Sequence, residues 1–196
     1  MKIHIASIML ALILPLAACE KKAENPGKTA PESSVNVQQG KDNLTKSWVD
    51  YAAKDNSYKV KFPGQPTEQN QVANSKLGKL NVVLALYEDQ TAKRAYLASS
   101  FKYQVDPTKF DAAKGLEGAK SGIAKNGTVT SEKDIKINGF PGKELTLTAK
   151  KGIGIRAKFF IDPKGPTLYQ TQVLAADGKT DFPEADAFFD SFTLNK

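Results

Sequence analysis

The stretch Ile153-Gly-Ile-Arg-Ala-Lys-Phe-Phe-Ile161, followed by Asp162-Pro-Lys-Gly165 and then Leu168-Tyr-Gln-Thr-Gln-Val-Leu174, decides the fold class of this chain. Successive side chains of a strand point to opposite faces. Ile153, Ile155, Ala157, Phe159 and Ile161 therefore share one face, and Arg156, Lys158 and Phe160 share the other. Asp162 to Gly165 has turn chemistry, so the two runs are predicted to form an antiparallel hairpin. Just upstream, Leu145, Leu147 and Ala149 alternate with Glu144, Thr146 and Thr148. Further back, Leu80, Val82, Leu84 and Leu86 line one face of a strand, and Leu97, Phe101 and Tyr103 line one face of the next. Two more alternating runs, Trp48-Val-Asp-Tyr51 and Tyr58-Lys-Val-Lys-Phe62, flank a turn at Asp55-Asn56.

Two segments change period. Ala112, Leu116, Ala119 and Ile123 recur at helical spacing, with Asp106 and Pro107 as the predicted cap and opening and Asn126-Gly127 as the stop. Gly115, Gly118 and Gly122 weaken that helix by up to about 1 kcal/mol each relative to Ala, so packing must hold it, and they permit close approach to a sheet. Ala185, Phe188, Phe189 and Phe192 form the stripe of a second helix. Its start is predicted at Thr180 or Asp181, with Pro183 in the first turn and Glu184 completing a capping-box-like pair with Asp181. Strands, helix, strands, helix is an α+β order: an antiparallel β-sheet packed with two main helices.

The N-terminus reads differently. Lys2 precedes an uncharged run from Ile5 to Leu14, and Pro15 ends it. About 18 apolar residues are needed to span a bilayer, and this run is shorter, as in a secretory signal. Leu16-Ala17-Ala18-Cys19 resembles the lipobox of bacterial lipoprotein precursors. The resemblance implies that Leu16, Ala17 and Ala18 are read by the signal peptidase, that residues 1–18 are removed, and that Cys19 becomes the lipid attachment site. One acyl chain holds a protein to a membrane only marginally, whereas two or three at about 0.8 kcal/mol per buried methylene give a stable anchor. Glu20 stands where an Asp would resemble an inner-membrane retention signal. The periplasmic side of the outer membrane is therefore the expected location if the host is Gram-negative.

Residues 19–46 are rich in Lys, Glu, Pro, Gly, Ser, Asn and Gln and are predicted to form a disordered tether. Residues 47–196 have the length of one domain. This last region resembles the PsbP-like fold, the extrinsic photosystem II protein type that also occurs in bacterial lipoproteins. The resemblance rests on Tyr58-Lys-Val-Lys-Phe-Pro-Gly-Gln-Pro66, Asn138-Gly-Phe-Pro-Gly-Lys-Glu144, Thr167-Leu-Tyr-Gln170 and Phe189-Asp-Ser-Phe-Thr-Leu194. It implies a role in binding and assembly rather than catalysis. The histidines that support metal binding in some photosynthetic members are absent here, so neither photosystem work nor that metal chemistry carries over.

Composition narrows the chemistry. Cys19 is the only cysteine and His4 the only histidine. A chain processed at Cys19 has no histidine and no free thiol. Ser-His-Asp and Cys-His catalysis, disulfides and ordinary zinc, copper or haem ligation are thereby excluded. No cofactor is expected, and Ser99 and Ser100 have no base at readable spacing. The net charge is +7, from 28 basic and 21 acidic side chains, and lysines are interspersed with carboxylates. Nucleic-acid binders concentrate Arg and aromatics on one face, so no nucleic-acid partner is expected.

Four candidate sites remain. Lys143, Arg156 and Lys158, with Lys150 and Lys151 nearby, could form a basic face for an anionic ligand or a partner, although a solvated or edge-protecting face is the commoner use. Glu184, Asp186 and Asp190 could offer oxygens to a hard cation, but no loop of the usual calcium-binding pattern accompanies them. Trp48, Phe188, Phe189 and Phe192 could line an apolar pocket, although their periodic placement suits ordinary core. Gly139-Phe-Pro-Gly142 and Gly152-Ile-Gly154 lack the Lys-Ser/Thr of a phosphate loop and read as turns. The combined expectation is a non-enzymatic envelope module, held by acyl chains on Cys19, that binds an envelope protein. The alternative is a carrier or sensor of a small apolar or anionic ligand.

Overall fold

A computed structural model describes residues 43–75 and 78–195. The elements that build it are β1 (Val49–Ala52), β2 (Tyr58–Phe62), β3 (Thr67–Ser75), β4 (Gly78–Asp89), β5 (Arg94–Tyr103), α1 (Ala112–Ala124), β6 (Gly127–Ile137), β7 (Phe140–Ala149), β8 (Gly154–Ile161), β9 (Thr167–Ala175), α2 (Pro183–Ser191) and β10 (Thr193–Leu194). The fold is α+β. Seven antiparallel strands run in the order β3-β4-β5-β9-β8-β7-β6, and β1-β2-β10 make a second, smaller antiparallel sheet.

Each face of the large sheet carries its own core. On one face Leu80, Val82, Leu84, Leu97, Phe101, Leu145, Leu147, Ile155 and Phe159 are buried with Ala119 and Ile123 of α1. On the other, Tyr96, Phe160, Tyr169 and Val173 meet Phe188, Phe189 and Phe192, and Tyr58, Val60 and Phe62 of the small sheet complete that layer. The central strands β5 and β9 are buried on both sides, which is why apolar residues of both stand on either face, although β9 also buries Gln170, Thr171 and Gln172. Hairpin register follows the turn residues. Asn138 (φ 49) and Gly139 (φ 86) make the two-residue turn between Ile137 and Phe140, whose positive φ values suit the twist of the strands. At the β8–β9 turn, Lys164 N–H donates to Asp162 Oδ1 at 2.8 Å.

Both helix starts differ from expectation. Asp106 Oδ1 accepts from Thr108 N–H at 3.0 Å, but it closes only a 3-10 turn over Pro107–Lys109. Phe110 then turns extended (φ −81, ψ 120), with its ring 5.4 Å from that of Tyr103. Burying that ring costs the helix its continuity, so α1 begins anew at Asp111, whose Oδ1 accepts from Lys114 N–H at 3.1 Å. The predicted capping pair of Asp181 and Glu184 does not form. Phe182, in extended conformation, precedes α2 without any side-chain cap, and Pro183 fills the first turn, where its missing N–H costs nothing. Glu184 is used elsewhere.

Candidate functional site

Cys19, Leu16, Ala17 and Ala18 lie outside the described residues. The candidate basic face lies within them, and the structure divides it. Lys143 of β7 is on the same face as Leu145 and Leu147, toward α1, whereas Arg156 and Lys158 of β8 alternate with Ile155, Ala157 and Phe159 and point to the α2 side. The three cations do not share one surface.

Nor are they open to solvent as the alternation suggested. Arg156 donates from Nε to Glu144 Oε1 and from Nη1 to Asp186 Oδ1, each at 2.7 Å. Its guanidinium carbon lies 5.0 Å from the centre of the Phe189 ring. Burial works against the charged guanidinium, but the hydrogen bonds to Asp186 and Glu144 outweigh it and hold the proton more firmly than usual. Lys158 Nζ is 3.7 Å from Glu144 Oε2 and 5.0 Å from the Phe189 ring centre. On the opposite face, Lys143 Nζ lies 2.8 Å from Asp134 Oδ1, 3.0 Å from Glu132 Oε1 and 3.5 Å from Glu117 Oε1. Burial again opposes the charge, and the two β6 carboxylates more than reverse it, so this ammonium is raised above its ordinary range. Lys120 Nζ joins at 2.8 Å from Glu132 Oε2. Lys150 and Lys151 stand exposed in the β7–β8 turn.

The carboxylates of α2 complete this picture. Glu184 Oε2 accepts from Arg94 Nη1 at 3.2 Å, and the Arg94 guanidinium stacks 3.6 Å over Phe182. Arg94 and Arg156 are the only arginines in the chain, and each meets a carboxylate and an aromatic ring at α2. A planar, five-donor cation suits that double task better than lysine. Glu184 and Asp186 thus act as fasteners between helix and sheet. Among the described residues no three His, Cys, Asp or Glu side chains are grouped to hold a metal ion. Trp48 packs edge-on against Tyr96 at 6.5 Å, and Phe188 lies 5.3 Å from Phe62 and 5.4 Å from Tyr96. These rings fill the core.

One polar feature was not read from the sequence as a group. Ser99 and Gln170 face each other across the β5–β9 ladder on the α1 side, and Gln172 follows on the same face; all three are buried. Ser99 Oγ and Gln170 Nε2 have no hydrogen-bond partner, and Thr171 Oγ1 on the opposite face is in the same condition. The signal was present as Gln170-Thr-Gln172 in an otherwise apolar strand. Nearby phenols are pushed up by burial, Tyr96 and Tyr103 each to about 12, so they stay neutral at ordinary pH. Among the described residues no helix is long and apolar enough to cross a membrane.

No family model matches the chain, and no curated protein matches it. Among solved structures, it is similar to the solution structure of cyanobacterial PsbP (CyanoP) from Synechocystis sp. PCC 6803. That similarity has 10% sequence identity and a TM-score of 0.41, and covers 76% of this chain and 93% of that one.

Proposed function

We propose that this chain is an envelope lipoprotein whose PsbP-like domain is a non-enzymatic binding or assembly module. The observation that carries the reading is Leu16-Ala17-Ala18-Cys19 closing a short apolar leader. Acyl chains on Cys19 would hold the protein to the membrane, with outer-membrane sorting in a Gram-negative host, and residues 20–46 would give the domain reach toward an envelope protein. The state of the polar side chains supports the non-enzymatic part. Arg94, Lys143, Arg156 and Lys158 are committed to carboxylates that fasten helices and strands, and no histidine follows His4.

The test is intact-mass analysis of the membrane fraction from cells making the wild-type chain or Cys19→Ser. The wild-type protein should begin at residue 19 and carry acyl mass. The variant should lack the acyl mass and retain residues 1–18. A wild-type protein with an unmodified Cys19 would overturn the reading. Affinity capture from membranes then asks for the partner, and failure to recover one reproducibly counts against the assembly role.

A second reading, a carrier of a small ligand, is favoured by the buried and unpartnered Ser99 Oγ and Gln170 Nε2 inside an apolar layer. Such a placement, a few polar groups among apolar walls, is how small-molecule sites are built. Native mass spectrometry of the purified chain decides it. A retained small molecule that Gln170→Leu releases supports a carrier, and an unliganded mass removes that reading.

A further inference from the structure

The two edges of the large sheet are built differently. β6, at one end, carries a register shift between Val129 and Ser131 and then the charged run Glu132-Lys-Asp134 with Lys136 beyond. Bulges and charges of this kind prevent an edge from pairing with another chain. β3, at the other end, has no bulge, and its one charge is Glu68 near its start. It pairs with β4 without a break from Thr67↔Leu86 to Ser75↔Gly78. From Gln69 to Ser75 it reads Gln-Asn-Gln-Val-Ala-Asn-Ser, with no charge and no proline. Val72 is 65% exposed. In an antiparallel pair every second residue turns its N–H and C=O away from the partner strand. Among the described residues no backbone–backbone hydrogen bond outside the β4 ladder reaches β3.

We propose that β3 is a self-association edge, through which two copies of this chain pair antiparallel about a two-fold axis at Gln71. The choice of a second copy follows from register and charge. A two-fold operator makes the interface self-complementary, and full overlap of Thr67–Ser75 with itself sets Gln71 against Gln71, Asn70 against Val72 and Gln69 against Ala73. Glu68, the only charge on the strand, then faces the uncharged position 74. No like charges oppose, and two facing carboxamides can each donate and accept. The same operation on β6 would set Glu132 against Glu132 and meet the bulge, and like charges directly opposite are destabilising.

The test uses the full-length chain in detergent with Cys19→Ser, so that an engineered thiol is the only one. Facing residues of a non-hydrogen-bonded antiparallel pair have Cα atoms about 4.5 Å apart, inside the roughly 4.4–6.8 Å reach of a disulfide. Mild oxidation of Gln71→Cys should therefore give a covalent dimer, and Glu132→Cys, the position that the same operation would set against itself on β6, should give none. Adding Asn70→Lys with Val72→Lys sets lysine against lysine at both flanking pairs and should abolish the dimer. Both positions are exposed, and an unchanged Trp48 emission spectrum shows that the fold survives. Equal crosslinking at the two edges, absence of a dimer from Gln71→Cys, or a dimer that ignores the added lysines overturns the proposal.

Discussion

Arg156 on β8 donates through Nη1 to Asp186 on α2 at 2.7 Å, so the last helix is fastened to the large sheet by a charge-assisted hydrogen bond. The same guanidinium binds Glu144 through Nε, and the side chains of Arg156 and Glu144 are only 17% and 12% exposed. Removing the cation strands the largely buried Glu144 carboxylate, whereas removing Asp186, 38% exposed, leaves Arg156 still paired with Glu144.

The two halves of this pair should therefore be unequal. Arg156→Met is expected to cost about 3 kcal/mol, the low end for breaking a buried pair, because Lys158 still lies near Glu144. Asp186→Asn should cost about 1 kcal/mol or less. Arg156→Lys should not rescue fully, since one ammonium cannot reproduce the two directed bonds. Urea unfolding followed by the emission of Trp48 measures all three, and equal losses for Arg156→Met and Asp186→Asn would refute the asymmetry.

Acid should act through the other face. Lys143 holds the carboxyl of Asp134 below its ordinary value by hydrogen bonding and charge. Burial tends to raise Glu132, but Lys120 and Lys143 outweigh that and leave it lowered too. A lowered folded pKa gives stability that is present above the ordinary carboxylate range, about pH 4, and is lost as pH falls through the folded values. Wild-type unfolding midpoints should decline on acidification below about pH 4. Lys143→Met should be less stable at pH 7 and show a shallower decline over that interval. A variant whose acid slope matched the wild type would show that Lys143 does not set it.

Which parts of this structure could be read from the sequence follows from burial. Strands β4, β5, β7, β8 and β9 were legible because at least one face is apolar, and Ala185, Phe188 and Phe189 gave α2 its stripe, although Phe192, expected on the same stripe, is extended and lies just beyond the helix. β3 and β6 were not, because edge strands of Gln, Asn, Thr and Lys carry no period-two hydrophobic signal. The candidate basic face failed for a related reason. Alternation within β8 places Arg156 and Lys158 together, but only the register of the β7–β8 hairpin places Glu144 opposite Lys158 and sends Lys143 to the far side. Long-range partners such as Asp186 leave no local trace at all. The start of α1 was missed because two capping aspartates, Asp106 and Asp111, stand five positions apart, and only the packing of Phe110 decides between them.

The α2 layer makes a sharper stability prediction. Phe188 is fully buried, with Phe62 at 5.3 Å, Tyr96 at 5.4 Å and Phe189 at 5.7 Å between ring centroids. Phe188→Ala should cost about 3–5 kcal/mol through lost contacts and the cavity left behind. Trp48 rests on Tyr96, so its emission should also shift in the folded state. A loss below about 1 kcal/mol would mean that this layer is loosely packed.

Helix α1 offers a test in which one substitution should stabilise and its neighbour should not. A methyl at Gly118 would meet nothing within 4 Å, whereas one at Gly115 would lie 3.0 Å from Phe110 Cζ and 3.2 Å from Ile161 Cδ1. Glycine in a helix interior costs up to about 1 kcal/mol relative to alanine. Gly118→Ala should recover that gain, raising the melting temperature by about 2–4 °C for a chain of this size. At Gly115 the same backbone gain is opposed by crowding between α1 and β8, so Gly115→Ala should leave the melting temperature unchanged or lower it. Calorimetry of the two variants beside the wild type separates the cases. Equal stabilisation by both would show that Gly115 is not what lets the helix approach the sheet, and a loss from Gly118→Ala would show that its open side is covered.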